Sequence, residues 1–181
     1  EQIDTGQRAE MLDEVNELRG FAALARSITV NQKAVKLVDA LEQGFEKLRE
    51  IGAPEKAIIF TDSTVTQDYL ARSLTDAGWG EGLILFNGSN DSPESKRIYD
   101  KWLKENHGGD LVTGIAAADR RKALVDEFRD RGRLIIATEA AAEGINLQFC
   151  SMLVNYDLPW NPQRIEQRIG RVHRFGQKHN V

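Results

Sequence analysis

The chain has 181 residues, which is enough for one domain with a full hydrophobic core. Hydrophobic residues make up 41% and charged residues 29%, as in ordinary soluble globular proteins, and the net charge of −4 argues mildly against a free-standing nucleic-acid binder. One cysteine, Cys150, excludes an internal disulfide framework and favours a cytoplasmic location, and no apolar run reaches the roughly 18 residues of a membrane span.

The first thirty residues, 1–30, predict a helical connector. Apolar residues recur there at every third position among charged neighbours, which is typical of a packing or connecting helix. Because the chain begins at Glu1 and not at Met, we expect it to be a piece of a larger protein. A second amphipathic helix follows over about 35–48. The apolar positions of the first helix are Leu12, Val15, Leu18, Phe21 and Leu24.

Four short apolar runs alternate with helical patterns through the rest of the chain. Continuous apolar runs of this length are typical of strands that are buried on both faces of a parallel sheet. Strands alternating with helices predict an α/β fold with right-handed crossovers. The predicted strands are residues 57–60, 83–86, 134–137 and 152–154.

A row of arginines near the end of the chain predicts an anion-binding helix. At about 100° per residue they fall within roughly 120° of one another, and Ile165, Ile169 and Val172 form an adjacent stripe that we expect to be buried. A guanidinium offers a planar fork of donors that fits phosphate oxygens. A basic face that simply meets water is the alternative. The arginines are Arg164, Arg168, Arg171 and Arg174.

The segment before this helix strengthens the phosphate interpretation. A strand ending near Asp157 is followed by a loop with Pro159 and Pro162, and Pro162 suits the first turn of a helix. In open α/β sheets, ligands collect at the carboxyl ends of the strands. His107 is isolated, and no cluster has metal-ligand spacing, so we predict no metal site.

Two of these segments resemble motifs of superfamily 2 helicases. Residues 167–174, QRIGRVHR, resemble motif VI (QxxGRxxR), and residues 138–147, ending in EGINL, resemble motif V. The WNP triplet at 160–162 and HRFGQ at 173–177 resemble segments of the SWI/SNF-type branch. The sequence of the motif VI region is most similar to that of bacterial RNA-polymerase-associated remodellers and their relatives. The resemblance runs from about residue 28 to the end.

The resemblance implies a RecA-like C-terminal lobe over 31–181, a parallel sheet flanked by helices. Residues 91–118 fit the family pattern least and are expected to be an insertion, in which the sequence predicts a helix over about 94–105. That insertion either contacts nucleic acid or a partner, or is a tolerated surface excursion, which we favour.

The chain carries no GxxxxGK[ST] loop, and no DExx box follows a buried strand. Such a loop grips the phosphates of ATP and places Mg²⁺. We therefore expect ATP and Mg²⁺ to be held mainly by an N-terminal RecA-like lobe of the same protein. The fragment alone is predicted to be inactive, and to be a monomer.

The resemblance also implies a role for individual residues. Arg174 is expected to be the arginine finger and Arg171 a neighbouring γ-phosphate contact. The other cofactor contacts are expected from Gln167 at the lobe interface, Asn146 at the ribose and Gly144 in motif V. Nucleic-acid contacts are expected at Thr61, Gly88 and Thr138.

The function implied is the second motor lobe of an ATP-dependent translocase. Duplex DNA is the favoured track and RNA the alternative. Two other classes stay open: a non-catalytic α/β module that binds an acidic protein or nucleic acid, and half of a nucleotide- or sugar-using transferase. The transferase requires an acid–base pair facing the arginines, and the sequence offers no convincing one.

Overall fold

A computed structural model describes residues 5–27, 31–107, 109–142 and 144–172, and the chain divides into two units, Glu1–Lys36 and Leu37–Val181. The first unit is mainly helix α1 (Thr5–Ser27), which confirms a helix in the predicted connector. Its apolar side chains are largely exposed, with Leu12 at 58% and Leu24 at 66%. None of the helices in these ranges combines the length and apolar character needed to cross a membrane.

The second unit is built on a parallel sheet of four strands, as the alternating pattern predicts. The strand order is β2-β3-β1-β4, so the chain returns from β2 to place β3 beside β1 and then crosses to the far side of β1. The carboxyl ends of β1, β3 and β4 are therefore neighbours. The strands are β1 (Ala57–Thr61), β2 (Leu83–Phe86), β3 (Leu134–Thr138) and β4 (Met152–Asn155).

Helices connect the strands and cover the sheet. Ser63 begins α3, because its hydroxyl accepts a hydrogen bond from the Thr66 amide at 3.0 Å, and Ser92 begins α4 in the same way. The helices are α2 (Gln32–Glu50), α3 (Thr64–Leu74) with a π-helical continuation (Thr75–Trp79), α4 (Pro93–Glu105), α5 (Ala116–Asp130), α6 (Glu139–Ala142) and α7 (Pro162–Val172).

The core has two layers, one on each face of the sheet. Successive residues of β1 point to opposite layers: Ile58 and Phe60 pack with Phe128, while Ile59 packs with Leu41. All five residues of β1 are buried, which explains why its sequence is continuously apolar and does not alternate. Burial also raises the pKa of the Cys150 thiol to about 12, so this cysteine is a neutral core residue.

Helix α4 is part of the core, which corrects the expectation that residues 91–118 form a surface excursion. Ile98 and Trp102 are only 8% and 5% exposed and belong to the same cluster as Phe60 and Phe128. The Trp102 indole Nε1 donates a hydrogen bond to Asp126 Oδ2 on α5 at 2.9 Å. The position of Asp126 along the sequence gave no sign of this contact. Contact of the segment with nucleic acid or a partner stays a prediction.

Replacing Trp102 with alanine should therefore destabilise the fold strongly. Loss of a buried large aromatic side chain typically lowers the free energy of unfolding by about 3–5 kcal/mol. Trp102→Phe should cost less, since it mainly loses the hydrogen bond to Asp126, worth about 1 kcal/mol. Urea denaturation measures both, with the exposed Lys101→Ala on the same helix as control. If Trp102→Ala lowered the free energy of unfolding by less than about 1 kcal/mol, helix α4 would not be part of the core.

Candidate functional site

The carboxyl ends of β1 and β4 are tied together by Asp157. Its Oδ2 accepts hydrogen bonds from the Thr61 hydroxyl at 2.7 Å and from the Asp62 amide at 3.2 Å. The Tyr156 amide also donates to the Phe60 carbonyl at 3.0 Å, which extends the strand pairing past the end of β4. These contacts form a rigid rim, and α7 lies directly after it in the chain.

Arg168 of α7 points into this rim and is 2% exposed. Its Nη1 donates to Asn155 Oδ1 at 2.7 Å and to the Asp157 carbonyl at 2.9 Å. Its Nη2 donates to Glu139 Oε2 at 2.8 Å and lies 3.5 Å from Asp62 Oδ1. The guanidinium carbon also lies 4.9 Å from the centre of the Phe60 ring. Arg168 therefore anchors α7 to the ends of β1, β3 and β4.

This placement corrects the prediction that Arg168 belongs to the anion-binding row, because its guanidinium is buried among acceptors of the protein itself. The prediction of a buried aliphatic stripe on this helix is also wrong in part: Val172 is buried, but Ile169 is 49% exposed. The inward face of α7 carries Arg168 and Val172, which are four residues apart and so lie one above the other. A helical wheel assigns only apolar residues to the buried face. It cannot include the carboxylates, distant in sequence, that accept hydrogen bonds from the Arg168 guanidinium.

A small cleft on the outer side of this anchor brings together two of the predicted site residues. Gln167 is exposed and Arg171 partly exposed, and both line the cleft. Arg164 lies at its edge, with Nη1 3.4 Å from Glu139 Oε2 and a side chain that is 57% exposed. The full lining is Phe60, Glu139, Arg164, Gln167, Arg168 and Arg171. Arg174 lies outside the part of the chain that the structure describes.

The motif V residues follow β3, and besides Glu139 they meet α7 through a backbone contact of Leu147. The Leu147 amide donates to the Arg171 carbonyl at 3.2 Å. Gly144 is exposed with φ +77°, a left-handed conformation that glycine adopts without strain. Asn146 is exposed, but it lines a separate groove of about 570 Å³ beside α5, together with Arg121 and Arg129. The structure thus does not bring Asn146 into the cleft of Gln167 and Arg171.

The residues expected to contact nucleic acid differ in accessibility. Thr61 is fully buried and bonded to Asp157, and Thr138, its register partner on β3, is 7% exposed. The Thr61 side chain therefore supports the rim, and both threonine side chains are buried, so their contact with nucleic acid stays a prediction. Gly88 is exposed, and a Cβ there would meet nothing within 4 Å, so a phosphate could approach its main chain.

The loop that carries Gly88 is held by a buried network. The Asn87 amide donates to Asn90 Oδ1, and the Asn90 amide donates back to Asn87 Oδ1, both at 2.8 Å. Asn87 Nδ2 donates to Gln67 Oε1 at 2.9 Å, and the fully buried Gln67 donates from Nε2 to the Ile136 carbonyl on β3 at 2.7 Å. The loop is thus fixed to the sheet.

Sequence reasoning missed three features of this edge. Glu139 and Asp62 are the carboxylates that lie beside the Arg168 guanidinium, and their only signal in the sequence was an acid directly after a buried strand. Trp160 is fully exposed and the neighbouring Leu158 is 69% exposed, on the loop between β4 and α7. The proline-flanked Trp160 was visible as a motif but had no assigned role. Within the described ranges, no group of three or more His, Cys, Asp or Glu side chains could hold a metal ion.

Comparison with known sequences identifies the family. Residues 32–176 match the family described as the helicase conserved C-terminal domain. The chain is 35% identical over 179 residues to the uncharacterized ATP-dependent helicase YqhH of Bacillus subtilis, covering 99% of this chain and 24% of that protein. It is 43% identical over 67 residues to RNA polymerase-associated protein RapA of Serratia proteamaculans, covering 37% of this chain and 7% of RapA. The chain thus spans about a quarter of YqhH and less of RapA.

Solved structures share the fold. The C-terminal part of the Fun30 ATPase domain superposes with a TM-score of 0.52 at 21% identity, covering 80% of this chain and 38% of that chain. Domain 2 of the DEAD-box helicase Mss116p, bound to an RNA duplex, gives 0.52 at 19% identity, covering 81% and 48%. The match over residues 32–176, the parallel sheet and these neighbours agree: the chain belongs to the helicase conserved C-terminal domain family and is a RecA-like C-terminal helicase lobe.

Proposed function

We propose that the chain is the second motor lobe of a nucleic-acid-dependent ATPase of the SWI/SNF-type branch. In this role it donates arginines to a nucleotide held by an N-terminal lobe of the same protein. The observation that carries the proposal is the orientation of α7: Arg168 is buried as an anchor, while Gln167 and Arg171 line a small cleft at the carboxyl edge of the sheet.

The residues at this edge fit part of an ATP site. A partly exposed guanidinium and an amide side chain suit phosphate oxygens, which accept hydrogen bonds and carry negative charge. The carboxylate that lines the cleft, Glu139, already accepts a hydrogen bond from the Arg168 guanidinium, so its charge is paired within the lobe. No phosphate-gripping glycine loop occurs in the sequence. The fit is therefore to the arginine half of a divided site.

The chemistry within that divided site follows from the charge of the guanidiniums. Bound ATP with Mg²⁺, held mainly by the N-terminal lobe, supplies the phosphoryl group that is transferred. Arg171 binds at the γ-phosphate and Arg174 acts as the arginine finger, where each stabilises negative charge that develops on the transferring group. Gln167 adds a hydrogen bond beside them.

The nucleic-acid track in this proposal runs over the loops at the same edge. Gly88 offers close approach to its backbone, and Trp160 offers an uncovered aromatic ring. Relatives carry the names ATP-dependent RNA helicase RhlB, of Hamiltonella defensa, and RapA. We favour duplex DNA for this chain, because the WNP and HRFGQ segments resemble the SWI/SNF-type branch.

The chain alone should bind ATP only weakly. Arginines can attract the phosphates, but without a loop that wraps them we expect a Kd no tighter than about 1 mM, a binding free energy near −4 kcal/mol. Isothermal titration calorimetry of the 181-residue chain with ATP and Mg²⁺ measures this directly. A micromolar Kd would show that the site is complete within this lobe.

Trp160→Ala should weaken nucleic-acid binding without affecting folding. The ring is fully exposed, so its removal leaves the melting temperature unchanged, whereas loss of a contact to nucleic acid worth about 1.4 kcal/mol lowers affinity about tenfold. Fluorescence anisotropy on the full-length protein, with labelled duplex DNA and duplex RNA compared, measures the loss. Trp160→Phe retains an aromatic face and serves as the control. If the parent protein, Trp160→Ala and Trp160→Phe bound nucleic acid with equal affinity, Trp160 would not be a nucleic-acid contact.

A further inference from the structure

Glu139 occupies a position between the two segments that the proposed function uses. It is the first residue after β3, next to Thr138, and its Oε2 contacts two arginines of α7. The distance to Arg168 Nη2 is 2.8 Å and to Arg164 Nη1 is 3.4 Å. The Glu139 side chain is 20% exposed and the Arg168 side chain 2% exposed. A contact this well shielded from water is more strongly directional than a surface ion pair.

The Arg168 contacts fix the rotation of α7 about its own axis. Arg171 follows Arg168 by three residues, so its side chain leaves the helix about 60° round from the anchor. If Arg168 loses a partner, α7 can roll, and the direction of Arg171 changes with it. The buried Arg168 Nε has no hydrogen-bond partner, so Glu139 is a main part of what holds this guanidinium. Asn155 and the Asp157 carbonyl hold its other end.

We infer that Glu139 is a positioning residue for Arg171. Through Arg168 it sets the roll of α7, and it thereby aims the outward guanidinium at the nucleotide. This inference rests on the proposed function, since it assigns Arg171 a target. It goes beyond that proposal by naming an acidic residue of motif V, which touches no substrate, as a determinant of catalytic rate.

The first test uses the chain alone and needs no nucleotide. Glu139→Gln keeps the shape of the side chain but removes its charge, so the hold on Arg168 weakens. Amide hydrogen exchange over 162–172 should become about tenfold faster, while exchange in α3 is unchanged. Glu166→Gln, an exposed change on the same helix, is the matched control. Unaltered exchange in α7 would overturn the inference. If Glu139→Gln fails to fold, Glu139→Asp replaces it as the test variant, since aspartate keeps the negative charge but holds it one methylene farther from Arg168.

The second test is a double-mutant cycle on ATP hydrolysis by the full-length protein. Glu139→Gln should lower kcat about 10–100-fold, the usual effect of a misplacement near 1 Å. In the Arg171→Ala background, Glu139→Gln should lower kcat no further, because the residue it aims is gone. Additive losses would show a general structural effect and overturn the inference. A normal kcat in Arg171→Ala alone would overturn the inference, because Arg171 would then have no role at the nucleotide. The proposed function is refuted only if Arg174→Ala is normal as well.

Discussion

Replacing Arg174 with alanine in the full-length protein should lower the kcat of nucleic-acid-stimulated ATP hydrolysis by about 10³–10⁵-fold. That range is the contribution of an arginine finger, which stabilises charge in the transition state and little in the ground state, so the KM for ATP should change much less. Arg171→Ala should lower kcat by about 10²–10³-fold, the effect of losing one fixed donor. A coupled assay of phosphate release measures both variants.

Arg97→Ala provides the matched control for these variants. Arg97 is an exposed arginine of α4 with a 76% exposed side chain paired to Glu94, far along the sequence from α7. Its loss removes the same charge and should leave kcat unchanged. If Arg174→Ala and Arg171→Ala both hydrolyse ATP like the parent protein, this lobe donates no catalytic arginine. A non-catalytic module that binds nucleic acid or an acidic protein would then be the better description.

Arg168→Ala should destabilise the chain by about 3 kcal/mol. The substitution removes the buried guanidinium of α7, so the Asn155 and Glu139 side chains lose their hydrogen-bond donor. Breaking a buried pair from one side typically costs about 3–5 kcal/mol, and we take the lower end because Glu139 is 20% exposed. Chemical denaturation of the 181-residue chain, followed by circular dichroism, gives the free energy of unfolding.

Arg164→Ala distinguishes this anchor from an ordinary surface ion pair. Arg164 contacts the same carboxylate at 3.4 Å, but its side chain is 57% exposed. Exposed pairs contribute about 0–1 kcal/mol, so its loss should barely change stability. Arg168→Lys should resemble Arg168→Ala more than the parent, since a single ammonium cannot reproduce the forked contacts to both ends of the rim. Equal stability losses for Arg164→Ala and Arg168→Ala would show that burial does not set the contribution.

The fold was largely predictable because its signals are local. Each predicted strand falls on an observed one, since apolar runs of three or four residues are too short for a buried helix and alternate with helical patterns. The start of α7 was equally visible in Pro162, and in the structure the Asn161 side chain accepts a hydrogen bond from the Gln163 amide at 3.0 Å. Such features depend on residues within one or two helical turns.

The site was less predictable because its contacts join distant residues. Arg168 pairs with Glu139, 29 positions earlier, and lies near Asp62, 106 positions earlier. Four arginines on one helical face look alike in sequence, and only the folded sheet decides which of them meets carboxylates. Trp102 illustrates the same limit, since its partner Asp126 lies 24 positions later, on another helix. The roles assigned to Arg171, Gln167 and Arg174 stay predictions.

The strand order also determines when this lobe can assemble during synthesis. Within the described sheet, β2 pairs only with β3, and β1 pairs only with β3 and β4. A nascent chain that has emerged only as far as α5 therefore has two apolar strands and no partner for either. Parallel pairings between distant segments form slowly and leave such strands exposed to aggregation. Release from the ribosome before residue 134 should thus yield insoluble product, however well the separate helices form.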